Sequence, residues 1–331
     1  QIVYNTINMT RIAINGFGRI GRIFFRQAHE HPEFEIVAVN DLGAQENLEY
    51  LLKYDTVYGK YDKDISSVKF LKEKDPTKLP WKDLGIDIVV ESTGVFETAE
   101  KAQAHITAGA KRVVITAPAK DDVTHMATPN VGMSALGGSL ITSTASCTTN
   151  ATNPVVAIML NSVGIKKAMM TTVHANTATQ KTVDGEGGKD FRYGRAGAWN
   201  IIPSTTGAAK ATTRIIPELK NKFDAVSVRV PIISGSLIDF TFLAGRSTTV
   251  EEINSIFKKA AASPQWQGIL EATEEPLVSS DIVGNPHGSI VDLGLTRVVD
   301  GDLVKVFAWY DNECGYTAML VKHVQAVARL L

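Results

Sequence analysis

The sequence predicts an α/β chain: a doubly wound parallel sheet, followed by an α+β domain built on a mostly antiparallel sheet. Two observations carry that expectation. Up to about residue 148, short β-prone runs alternate with helical stretches; beyond it the β-prone runs lengthen and the alternation stops.

Taken in order, RIAIN (11–15) reads as a strand, IGRIFFRQAHEH (20–31) as a helix and EIVAVN (35–40) as a second strand. DIVVEST (87–93), AEKAQAHITAG (99–109) and RVVIT (112–116) repeat the pattern. Strands joined through helices run parallel, because each crossover returns the chain to the same end of the sheet. A helix is expected over 146–163 with Ser146 as its N-cap, and Pro154, in its second or third turn, is expected to distort or delay it. KKAMMTTVHA (166–175), AVSVRVPIISGSLIDFTFLAG (225–245) and DLVKVFAWYD (302–311) are long β-prone runs, and VEEINSIFKKAAA (250–262) is helical. The tail TAMLVKHVQAVARLL (317–331) has helical apolar spacing and should pack back onto one of the domains. DGEGGKDFRYGRAGAWNIIPSTTG (184–207) is long, glycine-rich and aperiodic, the signature of a loop that is functional or covered by a partner. No internal repeat or low-complexity segment is visible.

Composition sets limits on partners. The 331 residues are 44% hydrophobic and 21% charged, enough for two domains with a core each. A net charge of -1 supplies no field to attract nucleic acid or anionic lipid, so neither nucleic acid nor a membrane is expected as a primary partner. No apolar run approaches the roughly 18–20 residues that span a bilayer, and the first ten residues lack a secretory pattern. Cys147 and Cys314 make no disulfide framework and read as free thiols in a reducing cytoplasm. No metal-ligand set is expected. The leader QIVYNTIN before Met9 carries no functional pattern and is set aside.

Gly16-Phe17-Gly18-Arg19-Ile20-Gly21 stands directly after the first strand and before the first helix, the position of a Rossmann-type dinucleotide fingerprint. Gly16 permits the tight turn, Gly18 lets the backbone approach a pyrophosphate, and Gly21 permits close helix–strand packing. The helix N-terminus adds free N–H donors. Asp41 follows Gly21 by twenty residues, at the end of the second strand. A carboxylate there accepts from both ribose hydroxyls and repels a 2′-phosphate, which favours NAD over NADP.

STASCTTNAT (143–152) surrounds Cys147 with hydroxyls, and His174 lies 27 residues on. A thiol reacts as thiolate, which a helix N-terminus, a cation or a paired imidazole stabilises. On spacing alone Cys147 reads as a nucleophile paired with His174 or as a small residue in a turn, and the two readings stay open.

Ser146-Cys147-Thr148-Thr149-Asn150 with His174 resembles the active-site pattern of the glyceraldehyde-3-phosphate dehydrogenase family. NGFGRIGR (15–22), VNDL (39–42), VVESTGVF (89–96), TAPAKD (116–121), STTGAAKA (204–211), RVP (229–231) and WYDNE (309–313) match the same family in order, and the likeness runs from Met9 to Leu331. The resemblance implies an NAD-binding domain over 9–148, a catalytic domain over 149–314 and a C-terminal helix, 315–331, packed on the NAD-binding domain. It implies oxidation of D-glyceraldehyde 3-phosphate, with inorganic phosphate, to 1,3-bisphosphoglycerate in glycolysis, through a Cys147 hemithioacetal and thioester with His174 as base. It also implies a homotetramer, with the 184–207 loop at an interface. Thr177, Thr179 and Arg229 would hold the phosphate already on the substrate, and Ser146, Thr148, Thr206 and Gly207 the incoming one, with Arg195 a further candidate. Cofactor contacts would come from Asn15, Gly16, Gly18, Arg19, Ile20, Gly21, Asp41, Lys74, Thr116 and Asn312, with Tyr316 beside the ring or in the core.

The chain departs from the family pattern at several points. Ala151 stands where many members carry a second cysteine, so oxidised Cys147 is expected to form sulfenic acid or mixed disulfides and no disulfide with Cys314. Glu186 replaces a frequent proline and would add negative charge near a neighbouring ribose. Cys314 replaces an aromatic residue, and IISGSLIDF departs from the usual run after RVP, although a strand is still expected. The alternatives are erythrose-4-phosphate dehydrogenase, and a non-catalytic binding role on the same scaffold.

Overall fold

The computed structural model describes residues 9–331; the leader QIVYNTIN lies outside the described residues. The chain forms two compact units. The first comprises residues up to Ala127, Ser134–Ala145 and Leu320–Leu331, and the second Thr128–Met133 and Ser146–Met319.

In the first unit β1 (Thr10–Asn15), α1 (Arg19–Ala28), β2 (Phe34–Asn40) and α2 (Gln45–Lys53) come first, followed by a small ribbon of β3 (Tyr54–Asp55) and β4 (Gly59–Lys60). Next come β5 (Lys69–Leu71), β6 (Ile88–Glu91), α3 (Ala99–Thr107), β7 (Arg112–Ile115), β8 (His125–Met126) and β9 (Ile141–Ser143). The sheet order is β5-β2-β1-β6-β7-β9-β8, with every pairing parallel. β6 and β7 are buried throughout, so their runs of Ile and Val need no polar alternation. Val37, Val89, Val113 and Ile141 pack with Trp81 and Ile86 in one core. The order reverses between β1 and β6, the switch point at which a doubly wound sheet binds its ligand. Register aligns Asn15 with Asn40 and Glu91, so polar residues end these strands on one row.

The second unit opens with α4 (Cys147–Ser162) and β10 (Ile165–Ala175), then β11 (Ile202–Thr205), α5 (Ala208–Ile215), β12 (Phe223–Val230) and β13 (Ser236–Ala244). It continues with α6 (Val250–Ala261), β14 (Leu270–Thr273), β15 (Ser289–Val299) and β16 (Leu303–Tyr310). The last helix, α7 (Cys314–Ala328), begins in this unit and contributes its C-terminal part to the first. The sheet runs β11-β12-β10-β13-β16-β15-β14; β10 is parallel to β12 and β14 to β15, and the other pairs are antiparallel. One face is packed under α4 and α6, with Val155, Met159, Phe240, Phe242, Phe257 and Val306 in its core. Burying each such side chain contributes roughly 1.5–3 kcal/mol.

Two sequence expectations are sharpened. The SLIDF part of IISGSLIDF does form a strand, paired on both sides from Leu237 to Leu243. Pro154 does not delay α4, which starts at Cys147 and continues past the proline to Ser162.

Candidate active site

The cysteine is presented by a sharp change of backbone direction. Ala145 is buried at a φ of 57°, a left-handed conformation that costs a non-glycine residue strain. Ser146 then returns to extended geometry, and its hydroxyl accepts from Thr149 N at 3.1 Å. That cap starts α4 at Cys147, which puts the thiol on the first turn, where N–H groups and the helix dipole favour an anion.

His174 reaches the same place from the end of β10. Its Nε2 lies 3.3 Å from Cys147 Sγ, and its ring meets the edge of Tyr310 at 6.0 Å between centroids. The Tyr310 hydroxyl, at the end of β16, sits 3.0 Å from Thr148 Oγ1 and 2.8 Å from Thr172 Oγ1, so it ties α4 to β10. His174 Nδ1 donates to Ala175 O at 2.7 Å, which leaves Nε2 free to accept, and register across the parallel β10–β12 pair sets Arg229 beside the ring, with Nη1 2.5 Å from Nδ1 and 3.2 Å from Ala175 O. Arg229 has no carboxylate partner among the described residues.

Burial pushes the Cys147 thiol up, opposed by the Arg229 charge and the Thr148 hydrogen bonds. Burial and then Arg229 push the His174 imidazole down to about 3. A proton moved from Sγ to Nε2 would leave a thiolate and an imidazolium 3.3 Å apart, each stabilising the other. Burial, and next the charge of Cys147, raises the Tyr310 phenol, which stays a neutral hydrogen-bonding group.

The other anion candidates are spread around this centre. Thr177 and Thr179 place their hydroxyls 2.9 Å apart just past β10. Thr206 Oγ1 accepts from Ala208 N at 3.2 Å, and Gly207 caps α5 with open space where a side chain would stand. Arg195 is turned to the surface, its Nε 3.0 Å from Asp184 Oδ2. Glu186 lines a separate hollow of 360 Å³ with Thr179, Lys181 and Tyr193.

In the first unit a cavity of 490 Å³ opens at the strand ends, lined by Asn15, Gly16, Gly18, Asp41, Lys74 and Thr93, among others. Gly16 has a φ of 94°, and a Cβ there would stand 2.6 Å from Thr93 N; one at Gly21 would collide with the Gly16 carbonyl. Asp41 accepts from Phe17 N at 2.7 Å and Gly43 N at 2.8 Å, which aims its carboxylate at the cavity mouth with lone pairs to spare. A glycine-cleared approach beside a fixed carboxylate fits a dinucleotide.

The remaining cofactor candidates do not line that cavity. The Arg19 guanidinium is held by Asp55 and lies over the Tyr58 ring, so only its backbone, with that of Ile20 at the start of α1, is offered to a ligand. Thr116 Oγ1 donates to Glu91 O at 3.1 Å. Asn312 and Tyr316 are buried in the second unit, where Ser236 Oγ donates to Asn312 Oδ1 at 2.8 Å. Cys314 starts α7 with its N–H on Asp311 Oδ1 at 3.0 Å, and both cysteines are free thiols. No group of His, Cys, Asp and Glu among the described residues could hold a metal ion.

Sequence reasoning missed a buried network beneath the cavity. Trp81 Nε1 donates to His105 Nδ1 at 3.1 Å, and since an indole only donates, the ring proton sits on Nε2, 3.0 Å from Glu91 Oε2. Glu91 also accepts from Asn15 Nδ2 at 2.6 Å and Thr93 N at 2.8 Å, two residues of the cavity wall. The only available signal was a carboxylate ending an otherwise apolar strand.

Comparison with known proteins agrees with this geometry. A family model described as glyceraldehyde 3-phosphate dehydrogenase, NAD binding domain, matches residues 10–99, and one described as its C-terminal domain matches 146–312. The glyceraldehyde-3-phosphate dehydrogenase of Colletotrichum lindemuthianum is 45% identical, with 97% of this chain and 98% of that protein covered. Its counterpart from Streptomyces coelicolor is 46% identical over 94% of this chain and 96% of its own. Glyceraldehyde-3-phosphate dehydrogenase 2 of Bacillus subtilis is 44% identical over 96% of each. A thiol–imidazole centre, a dinucleotide cavity and near-complete coverage by such relatives lead to one conclusion: the chain belongs to the glyceraldehyde 3-phosphate dehydrogenase family.

Proposed function

We propose that this chain is an NAD-dependent phosphorylating dehydrogenase of glycolysis that converts D-glyceraldehyde 3-phosphate and inorganic phosphate to 1,3-bisphosphoglycerate. The observation that carries the reading is the 3.3 Å approach of His174 Nε2 to Cys147 Sγ at the start of a helix. Cys147 Sγ adds to the aldehyde carbon while its proton passes through His174 to the carbonyl oxygen, leaving a hemithioacetal and a neutral His174. Bound NAD would supply the acceptor for a hydride from this carbon. His174 takes the hydroxyl proton as the carbonyl re-forms, and a thioester remains on Cys147. Inorganic phosphate then attacks the thioester carbon, and the acyl phosphate leaves with the Cys147 thiolate restored.

Arg229, Thr177 and Thr179 hold the phosphate that the substrate brings, and Ser146, Thr148, Thr206 and Gly207 the one that enters. Hydroxyls and backbone N–H groups donate to phosphate oxygens without crowding the thiolate with cations, while the Arg229 guanidinium, which has no carboxylate partner among the described residues, supplies tight anchoring. Asp41 and the Gly16–Gly21 turn hold the adenosine half of the dinucleotide, and Asn312 its carboxamide.

A homotetramer in the cytoplasm completes the reading. Met169 and Val226 share the open face of the second sheet, and Met169 is 58% exposed; Trp199, in the 184–207 loop, is 87% exposed. Apolar surface of that extent suits contact with further copies of the chain. Light scattering on the purified protein tests the subunit number.

NADH formation with each aldehyde, with and without inorganic phosphate, tests the reaction. Strict phosphate dependence with the triose is expected; phosphate-independent turnover of erythrose 4-phosphate would favour the alternative.

A further inference from the structure

Asn312 must present one end of its amide to be of use to a carboxamide, and the structure contains a device that chooses the end. Ser236 Oγ, fully buried on β13, accepts from Ala175 N at 3.0 Å and lies 2.8 Å from Asn312 Oδ1. A serine hydroxyl has one proton. Ser234, the other hydroxyl within reach, lies 3.4 Å from Asn312 Oδ1 but 2.7 Å from Asp311 Oδ1, so its proton goes to the carboxylate. Asp311 is fixed in turn by Gly284 N, Glu313 N and Cys314 N. Ser236 is therefore the donor that Asn312 Oδ1 receives, and the opposite end of the amide, Nδ2, is left to donate elsewhere.

The same hydroxyl receives the N–H of the residue that follows His174. One oxygen atom thus joins the strand end that carries the base to the side chain assigned to the carboxamide.

We propose that Ser236 is a positioning residue for the nicotinamide: it locks the Asn312 amide with Nδ2 outward and keeps it in register with the end of β10. This rests on the reading of Asn312 as the carboxamide ligand. Without the hydroxyl, Asn312 can rotate to offer Oδ1, which accepts only from the NH2 of the carboxamide and leaves its carbonyl unmet. The loss falls on ligands that carry a nicotinamide and spares those that end at the second ribose.

The test compares NAD with ADP-ribose, which keeps the adenosine, the pyrophosphate and the second ribose but lacks the nicotinamide, by calorimetric titration of the full-length protein. Ser236→Ala is expected to weaken NAD by about threefold to tenfold, the worth of one hydrogen bond, and to leave ADP-ribose unchanged. Unchanged ADP-ribose affinity also certifies the fold of the variant. Should that variant not fold, Ser236→Cys, of similar size and with a weak donor, carries the same comparison. Equal weakening of both ligands would mean a merely structural serine, and no weakening of either would mean no role; both overturn the proposal. Asn312→Ala separates the layers. If it binds NAD as well as the parent protein, the reading of Asn312 itself fails; if it loses NAD affinity while Ser236→Ala does not, only the role of Ser236 fails.

Discussion

Cys147 and His174 meet at 3.3 Å although they belong to different elements, one at the first residue of a helix and the other near the end of the strand that follows. An imidazole at that distance can take the thiol proton, and removing it should leave the buried thiol without that acceptor. In His174→Asn the alkylation of Cys147 by iodoacetamide should move to higher pH, above the ordinary thiol range, because burial alone raises it. Turnover should fall by about 10²–10⁴-fold, the usual worth of a general base. An unchanged alkylation profile would show that the two side chains do not titrate together.

Asp41 aims its carboxylate at the cavity with both oxygens held by backbone N–H groups. Replacing it with Asn keeps the size and removes the charge that repels a 2′-phosphate. The preference for NAD over NADP, measured as the ratio of kcat/KM values, should shrink by about tenfold, worth ~1.4 kcal/mol. A ratio equal to that of the parent protein would place cofactor choice elsewhere.

The Trp81–His105–Glu91 chain supports the cavity wall through Asn15 and Thr93. His105→Phe preserves a ring but withdraws a donor from a buried carboxylate, a change that costs about 1–3 kcal/mol. Thermal stability should drop and NAD affinity should weaken with it, while the rate of Cys147 alkylation stays the same. A variant with parental NAD affinity would make the network a feature of the core alone.

His323 is buried against Thr142 Oγ1, and burial depresses its imidazole to about 4. The unfolded chain takes up a proton near its ordinary value of about 6.5 while the folded one does not, so stability is present above that pH and is lost as pH falls toward 4. The loss amounts to about 3 kcal/mol from this residue. His174, depressed further, adds in the same direction. In His323→Gln the denaturation midpoint should fall less between pH 7 and pH 4.5 than in the parent protein, and an equal fall would contradict the assignment.

How much of this was readable in the sequence follows from distance along the chain. The Gly16–Asp41 unit was legible because its parts lie within one strand–helix–strand repeat, where local turn chemistry fixes the geometry. The helix start at Cys147 was legible for the same reason, through Ser146 as its cap. The contact of Arg229 with His174 was not, since it depends on the register of β10 against β12, chosen by the packing of both strands. Trp81, His105 and Glu91 were missed because each alone looks like a core residue, and only tertiary packing brings the loop before β6, the end of β6 and α3 together. Ser236 lay in a run noted only for its unusual sequence, and its partners Ala175 and Asn312 stand on two other segments of the chain.

The central claim is a covalent acyl group on Cys147, and mass spectrometry of the peptide that contains it is the most direct measurement. Incubation with D-glyceraldehyde 3-phosphate and NAD in the absence of phosphate should leave a 3-phosphoglyceroyl group on Cys147, with one NADH formed per site. Addition of inorganic phosphate should remove the group and release 1,3-bisphosphoglycerate. NADH formed at the full rate by Cys147→Ser, or an acyl group found on another residue, would contradict the account.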